Sequence, residues 1–85
     1  MMNEKEYNNH LITLWLDNDL NNYQRQGRFN PKGKSDKEVI DFVSKLDYQG
    51  DREHISFKKK DLNMSAIRRT LGDNYECQNY YKRNK

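Results

Sequence analysis

Six consecutive residues, Leu11-Ile12-Thr13-Leu14-Trp15-Leu16, hold five large apolar side chains and the only tryptophan, and the run stops abruptly in Asp17-Asn18-Asp19. The chain is 34% charged and only 33% hydrophobic, so a core has to start in this run. Leu11, Leu14 and Trp15 share one helical face, with Ile12 and Leu16 on the adjoining one, which predicts a helix covered on most sides. Asn8 or Asn9 is placed to cap it, since a short amide oxygen accepts from the free amides of a first turn. Asp17-Asn18-Asp19 can end this helix and cap another. Leu20 and Tyr23 carry helical spacing on to Gly27, so the reading is one bent helix over 9–26 or two broken near Asp17.

The rest of the chain reads as short helices separated by loops. Residues 27–34, Gly-Arg-Phe-Asn-Pro-Lys-Gly-Lys, form the clearest loop, with two glycines and the only proline. Ser35-Asp36-Lys37-Glu38 is a capping box, followed by Val39, Ile40, Phe42, Val43 and Leu46 at helical spacing, which predicts a helix over 36–47. Ile55 and Phe57 alternate with polar neighbours, but one strand without a partner is no sheet, so 48–60 reads as turn and extended linker. Asp61 or Asn63 can cap a last helix carrying Met64, Ile67 and Leu71, with Gly72 placed to stop it. Residues 1–6 and 82–85 are expected to fray, and Tyr75 and Cys77 to pack back on the core.

These elements make residues 1–85 a single all-α domain of three to five short helices. Its expected centre is Leu11, Leu14, Trp15, Leu16, Val39, Phe42, Val43, Leu46, Ile67 and Leu71. A domain this small is marginally stable alone, so a bound partner or a homodimer is a natural expectation. One cysteine cannot make an internal disulfide, and no apolar run approaches a membrane span, which together suggest a soluble, cytoplasmic protein with no membrane partner. Eleven asparagines, with many Lys and Tyr and few Ala and Pro, read as the coding bias of an AT-rich genome, without mechanism.

Two segments resemble an uncharacterised family of small proteins in phages, prophages and plasmids. That family opens with a pattern close to Tyr-x-Thr-Trp-Asn-x-x-Leu-Trp-Leu-x-Asn-Asp and closes near Val-Asn-Trp-x-x-Ile-Ala-x-x-Leu. Leu14-Trp15-Leu16-Asp17-Asn18-Asp19 is similar to the opening, and Leu62-Asn63-Met64-Ser65-Ala66-Ile67-Arg68-Arg69-Thr70-Leu71 to the closing. The chain departs from the pattern at Asn8-Asn9 (Thr-Trp in the family), at Met64 (Trp) and at Arg68 (a small residue). The resemblance implies a helical fold and a mobile-element origin. It supplies no activity and no site residues.

Chemistry-bearing residues are sparse. Asp17 and Asp19 are two apart, off a common helical face, and no EF-hand spacing surrounds them, so with His10 they read as caps rather than metal ligands. Cys77 has no flanking catalytic signature and reads as a small buried residue, with His10 and His54 far from it in sequence. No glycine-rich phosphate loop is present, so no catalytic residue, metal or cofactor is assigned and the chain reads as a non-enzyme.

Two binding readings remain. Residues 1–51 hold seven Lys/Arg against nine Asp/Glu, while 52–85 hold nine against four. The basic third points to a DNA- or RNA-binding regulator using Lys58, Lys59 and Lys60 before a helix that presents Arg68 and Arg69, with Lys82 in the tail. A helix-turn-helix, however, needs a three- or four-residue turn, and the preceding helix is about fifteen residues away. The leading reading is a surface that binds a host protein. Six tyrosines exceed what a small core can hold with satisfied hydroxyls. Tyr23, Arg25, Arg28 and Phe29 near the loop, and Tyr75, Tyr80, Tyr81 and Arg83 in the tail, are the candidates. With a mobile-element origin, the specific form is interference with a host defence such as CRISPR or restriction. A structural role within an assembly is a third possibility.

Overall fold

The computed structural model describes residues 2–83, and the side chains of residues 2–80. It is all-α, with α1 at Glu4–Asn18, α2 at Leu20–Gln26, α3 at Asp36–Ser44 and α4 at Met64–Arg83. Two short 3₁₀ helices, Gln49–His54 and Lys59–Asp61, interrupt the connection between α3 and α4. Among the described residues there is no strand, and no helix is long and apolar enough to cross a membrane.

Asn3, not Asn8 or Asn9, starts α1: its side chain accepts from the Glu6 amide at 2.8 Å, and Glu4 and Glu6 place negative charge in the first turn. Residues 4–6 are therefore helical rather than a frayed lead-in. The inward face of α1 carries Asn8, Asn9, Leu11, Ile12 and Leu16. Leu14, expected in the core, sits on the opposite side and is 42% exposed. Trp15 is half-buried, and its indole Nε1 donates to Asp51 Oδ2 at 2.8 Å. Asp19 breaks the helix in an extended conformation and caps α2 by accepting from the Asn22 amide. The two-helix alternative is the one observed.

The core is Ile12, Leu16, Val39, Val43, Leu46, Tyr48, Leu62, Ile67 and Leu71, with Trp15, Phe29, Ile40, Phe42, Ile55, Phe57 and Met64 packed against it. The largest fully buried side chain is Tyr48, which the sequence placed at the start of a linker. Its hydroxyl donates to the Val43 carbonyl at 2.7 Å, which ends the question of how a buried tyrosine satisfies its polar atom. Burial holds this phenol well above the usual tyrosine range.

Side-chain amides do much of the remaining work. Asn8 Nδ2 donates to the Ser56 and Asp61 carbonyls, and its Oδ1 accepts from the Ser56 amide at 2.7 Å. Asn9 Nδ2 donates to the Lys5 and Asp61 carbonyls while its Oδ1 accepts from the Asn63 amide at 2.7 Å. Two adjacent asparagines thus tie α1 to the irregular chain before α4. Asn22 does the same for Asp47, taking both its amide and its carbonyl. That grip draws residues 45–47 out of α3, which ends at Ser44 and not at 47 as expected. Arg52 then donates to the Ser44 and Leu46 carbonyls, satisfying acceptors that the short helix leaves open. Gln26 Nε2 reaches the Leu16 and Asn22 carbonyls, and its Oε1 accepts from Asn74 of α4. No buried side-chain polar atom among the described residues lacks a partner.

Ser35 and Glu38 form the expected capping box, and Asn63 starts α4 by accepting from the Ala66 amide. Gly72 does not stop α4, which runs on to Arg83; residues 84–85 of the expected frayed tail lie outside the described residues. The continuation is held by Asn74 on Asp17 and Gln26, by Gln78 on the Tyr23 carbonyl and by Asn79 on the Gly27 carbonyl. These cross-links offset the roughly 1 kcal/mol that glycine costs inside a helix.

Two measurements check this account. Asn9→Leu strands the Asn63 amide and leaves the Asp61 carbonyl with Asn8 alone, and should destabilise by about 1–3 kcal/mol in urea unfolding, beyond the ordinary loss of one hydrogen bond. The glycines should respond in opposite directions. A Cβ at Gly72 meets only Pro31 Cγ at 3.7 Å, whereas one at Gly27 falls 2.6 Å from Gln78 Oε1. Gly72→Ala should raise stability by about 0.5–1 kcal/mol, and Gly27→Ala should lower it.

Candidate interaction surface

The predicted partner-binding residues fall on two sides of the 27–34 loop. On one side, Arg25 and Phe29 line a depression of about 370 Å³ with Glu38, Asp41, Phe42, Lys45 and Leu46. Phe29 stacks on Phe42 with ring centres 4.1 Å apart and planes 9° from parallel, so the two rings share one apolar wall. Arg25 also borders a polar depression with Asn21, Gln24 and Arg28. On the other side, Tyr75 and Tyr80 line a depression of about 390 Å³ with Asn30, Lys32, Glu76 and Asn79. Asn79 Nδ2 donates to the Gly27 carbonyl at 3.0 Å, which fixes α4 beside the start of the loop. Tyr23 is half-buried and its carbonyl is held by Gln78, so it belongs to the α2–α4 contact more than to the outer surface. The side chains of Tyr81, Lys82 and Arg83 lie outside those described.

Helix α3 organises the first side. It buries Val39 and Val43 and turns Glu38 and Asp41 outward as a ridge. A second depression, of about 410 Å³, lies along the ridge's other flank and is lined by Lys37, Ile40, Ser44 and Phe57 as well as by Glu38 and Asp41. Apolar walls with a charged border on each flank are what a protein-recognition surface presents. Phe42 was expected at the centre of the core and instead forms wall, half-buried. Helical spacing alone does not distinguish a residue facing the core from one facing the edge of a shallow groove. Ile40 and Phe57 showed only helical spacing and strand-like alternation in the sequence, and nothing there marked them or Lys45 as surface residues.

The predicted nucleic-acid residues are rearranged. Arg68 does not face outward into a groove. Its guanidinium donates to the Pro31 carbonyl at 3.1 Å, the Lys34 carbonyl at 2.8 Å and Asp36 Oδ1 at 2.7 Å. It acts as a strut from α4 to the loop and to the first turn of α3. Lys59 pairs with the other oxygen of Asp36 at 3.1 Å. Lys58, Lys60 and Arg69 are exposed. Arg69 shares the outer face of α4 with Ser65, Asp73 and Glu76, away from Arg68. The connection from Ser44 to Met64 is far too long for a helix-turn-helix, as the sequence already argued.

The remaining chemistry-bearing residues are dispersed. Cys77 is exposed, not buried as expected, because the uninterrupted α4 carries it onto the outer face. His10 is exposed, and His54 lies 3.7 Å from Glu53 and lines a shallow depression with Glu4, Lys5, Tyr7, Asn8, Ser56 and Asp61. Asp17 accepts from Asn74 and Asp19 caps α2. No group of three or more His, Cys, Asp or Glu among the described residues is arranged to hold a metal ion. No known protein family, curated protein or solved structure matches the chain.

Among the described residues, Asp36 is the one carboxylate whose titration the surface clearly perturbs. Hydrogen bonds from Arg68 and then Lys59 hold its pKa below the ordinary aspartate value, against a smaller opposing effect of burial. The folded state therefore prefers the charged form. Its contribution is complete above the unfolded pKa, near pH 4, and is lost as pH falls through the lower folded value. Urea midpoints of the wild type should drop as pH falls below about 4, and Asp36→Asn should flatten that drop while being less stable at neutral pH.

Proposed function

We propose that this chain is a small, non-enzymatic accessory protein of a phage or related mobile element that binds a host protein. The specific form we favour is inhibition of a host defence system such as CRISPR or restriction. The observation that carries the binding reading is the Phe29–Phe42 wall, bordered by Arg25, Lys45, Glu38 and Asp41. Stacked rings at an accessible edge, with arginine beside them, are the residue types that dominate interface energetics. Mixed charge at the border suits selection of one partner over others more than raw affinity. The mobile-element origin and the defence pathway rest on the resemblance of the Leu14–Asp19 and Leu62–Leu71 segments.

Arg25 at the wall and Arg28 in the adjoining polar depression are exposed, so they can be changed without touching the core. Tagged full-length protein should capture one host protein at near-stoichiometric yield from nuclease-treated lysate, identified by mass spectrometry. Arg25→Glu/Arg28→Glu should weaken that capture by about 30-fold or more, as expected for loss of an interface anchor, with an unchanged circular dichroism spectrum. Recovery of nucleic acid alone, or equal capture by the double variant, counts decisively against this surface and this role.

A further inference from the structure

We propose that the surface around Asp36 is a nucleic-acid-binding face that grips the phosphate backbone of a duplex without reading its sequence. It adjoins the wall assigned to the protein partner at Lys34, whose Nζ lies over the Phe29 ring, and it is tested through other residues than Arg25 and Arg28, so failure of one assignment is distinguishable from failure of the other.

Three segments remote in sequence meet there. Asp36 Oδ1 accepts from Arg68 and Oδ2 lies 3.1 Å from Lys59 Nζ, so one carboxylate is shared by two cations. Arg68 also holds the Lys34 carbonyl, which fixes Lys34 beside this point, its Nζ 5.5 Å from the Phe29 ring centre. Lys37 follows Asp36 on α3 and lines a depression with Phe57, the neighbour of Lys58. Lys59 and Arg68 thus meet on Asp36, Lys34 and Lys37 flank that point on α3's side, and Lys58 and Lys60 are the exposed sequence neighbours of Lys59. Its carboxylates are Asp36, Glu38, which closes the Ser35 capping box, Asp41, which pairs with Lys45 at 3.0 Å, and Asp61, which accepts from Ser56 Oγ at 2.7 Å. Lys37, Lys58 and Lys60 are exposed and pair with no carboxylate among the described residues, and Lys59 remains 68% exposed despite its pair.

The composition of the face selects its ligand. Lysine ammonium groups act as point charges and meet phosphates without the fixed fork that arginine uses on base edges. Arg68 is committed to the protein's own backbone and to Asp36, and Arg52, 5.4 Å from the Phe57 ring centre, donates to the Ser44 and Leu46 carbonyls. Phe57 is half-buried against Tyr48, and the half-buried Phe29 ring is stacked on Phe42 with Lys34 Nζ 5.5 Å from its centre, so neither ring offers a fully open face to unstacked bases. A duplex, with closely spaced phosphates on both strands, fits these features better than a single strand.

Fluorescence anisotropy of the full-length protein with a labelled duplex of about 20 base pairs tests this. About four phosphate contacts predict a loss of roughly 100-fold in affinity between about 50 and about 200 mM salt. Lys37→Glu/Lys58→Glu/Lys60→Glu should weaken duplex binding at low salt by at least about 10-fold and flatten the salt dependence. Arg69→Glu, on the other face of α4, should change binding far less. Lys58→Gln/Lys60→Gln gives the same reading in smaller steps should the triple reversal fail to fold. The proposal is overturned by any of four results: no duplex binding at low salt, equal binding by these lysine variants, tighter binding of the matching single strand, or equal capture of polyglutamate, which would mark an acidic peptide as the ligand.

Discussion

A carboxamide carries two donor hydrogens and an oxygen with two lone pairs, and Asn8, Asn9, Asn22 and Gln26 direct theirs to backbone that no helix or sheet would otherwise satisfy. The stretch between α3 and α4 contains the buried Leu46, Tyr48 and Leu62 but no α-helix. Its peptide groups at 47, 56, 61 and 63 are held by amides from α1 and α2. Each such bond adds only about 1 kcal/mol net, yet leaving a buried partner unmet costs about 1–3 kcal/mol. The network therefore stabilises modestly when complete and penalises heavily any alternative packing, which is how a chain with few large apolar residues specifies one arrangement.

The surfaces follow from that arrangement. With the α3–α4 connection pinned to α1, helix α3 lies at the edge and exposes a flank on each side of its Glu38–Asp41 ridge. The 27–34 loop is fastened at both ends. Asn79 holds the Gly27 carbonyl, and Arg68 holds the carbonyls of Pro31 and Lys34. Phe29 is presented from a braced segment, so less ordering entropy opposes binding there than in a free loop. Arg68 shows how position changes a residue's role. The same guanidinium that suits a phosphate is equally suited to three oxygens of its own chain, and the fold supplies those first.

Much of the helical layout was legible in the residues. Ser35 and Glu38 cap each other, Asp19 both breaks and restarts the chain, and Gly27 follows the end of α2, because these are local effects decided within one turn. The errors concern groups whose partners are remote in sequence. Asn8 and Asn9 look like caps but bond to residues 48 to 54 positions away. Gly72 looks like a stop, and the amides of Asn74, Gln78 and Asn79 carry the helix past it. Eleven asparagines looked like coding bias, yet five of them, at 8, 9, 22, 74 and 79, bond across elements.

The Leu11–Leu16 run by itself determined that a helix would anchor the core, and Asp17-Asn18-Asp19 determined where it would break. Apolar spacing and capping act over a few residues, so their outcome is set before the chain folds back on itself. Only the tertiary structure decided which side of that helix was inside. Leu14 went to solvent and the amides of Asn8 and Asn9 went in, because the peptide groups they satisfy exist as unmet partners only once residues 56–63 arrive. The same is true of the surfaces. Phe29 finds Phe42, and Lys59 and Arg68 meet on Asp36, through contacts that no single stretch of sequence contains.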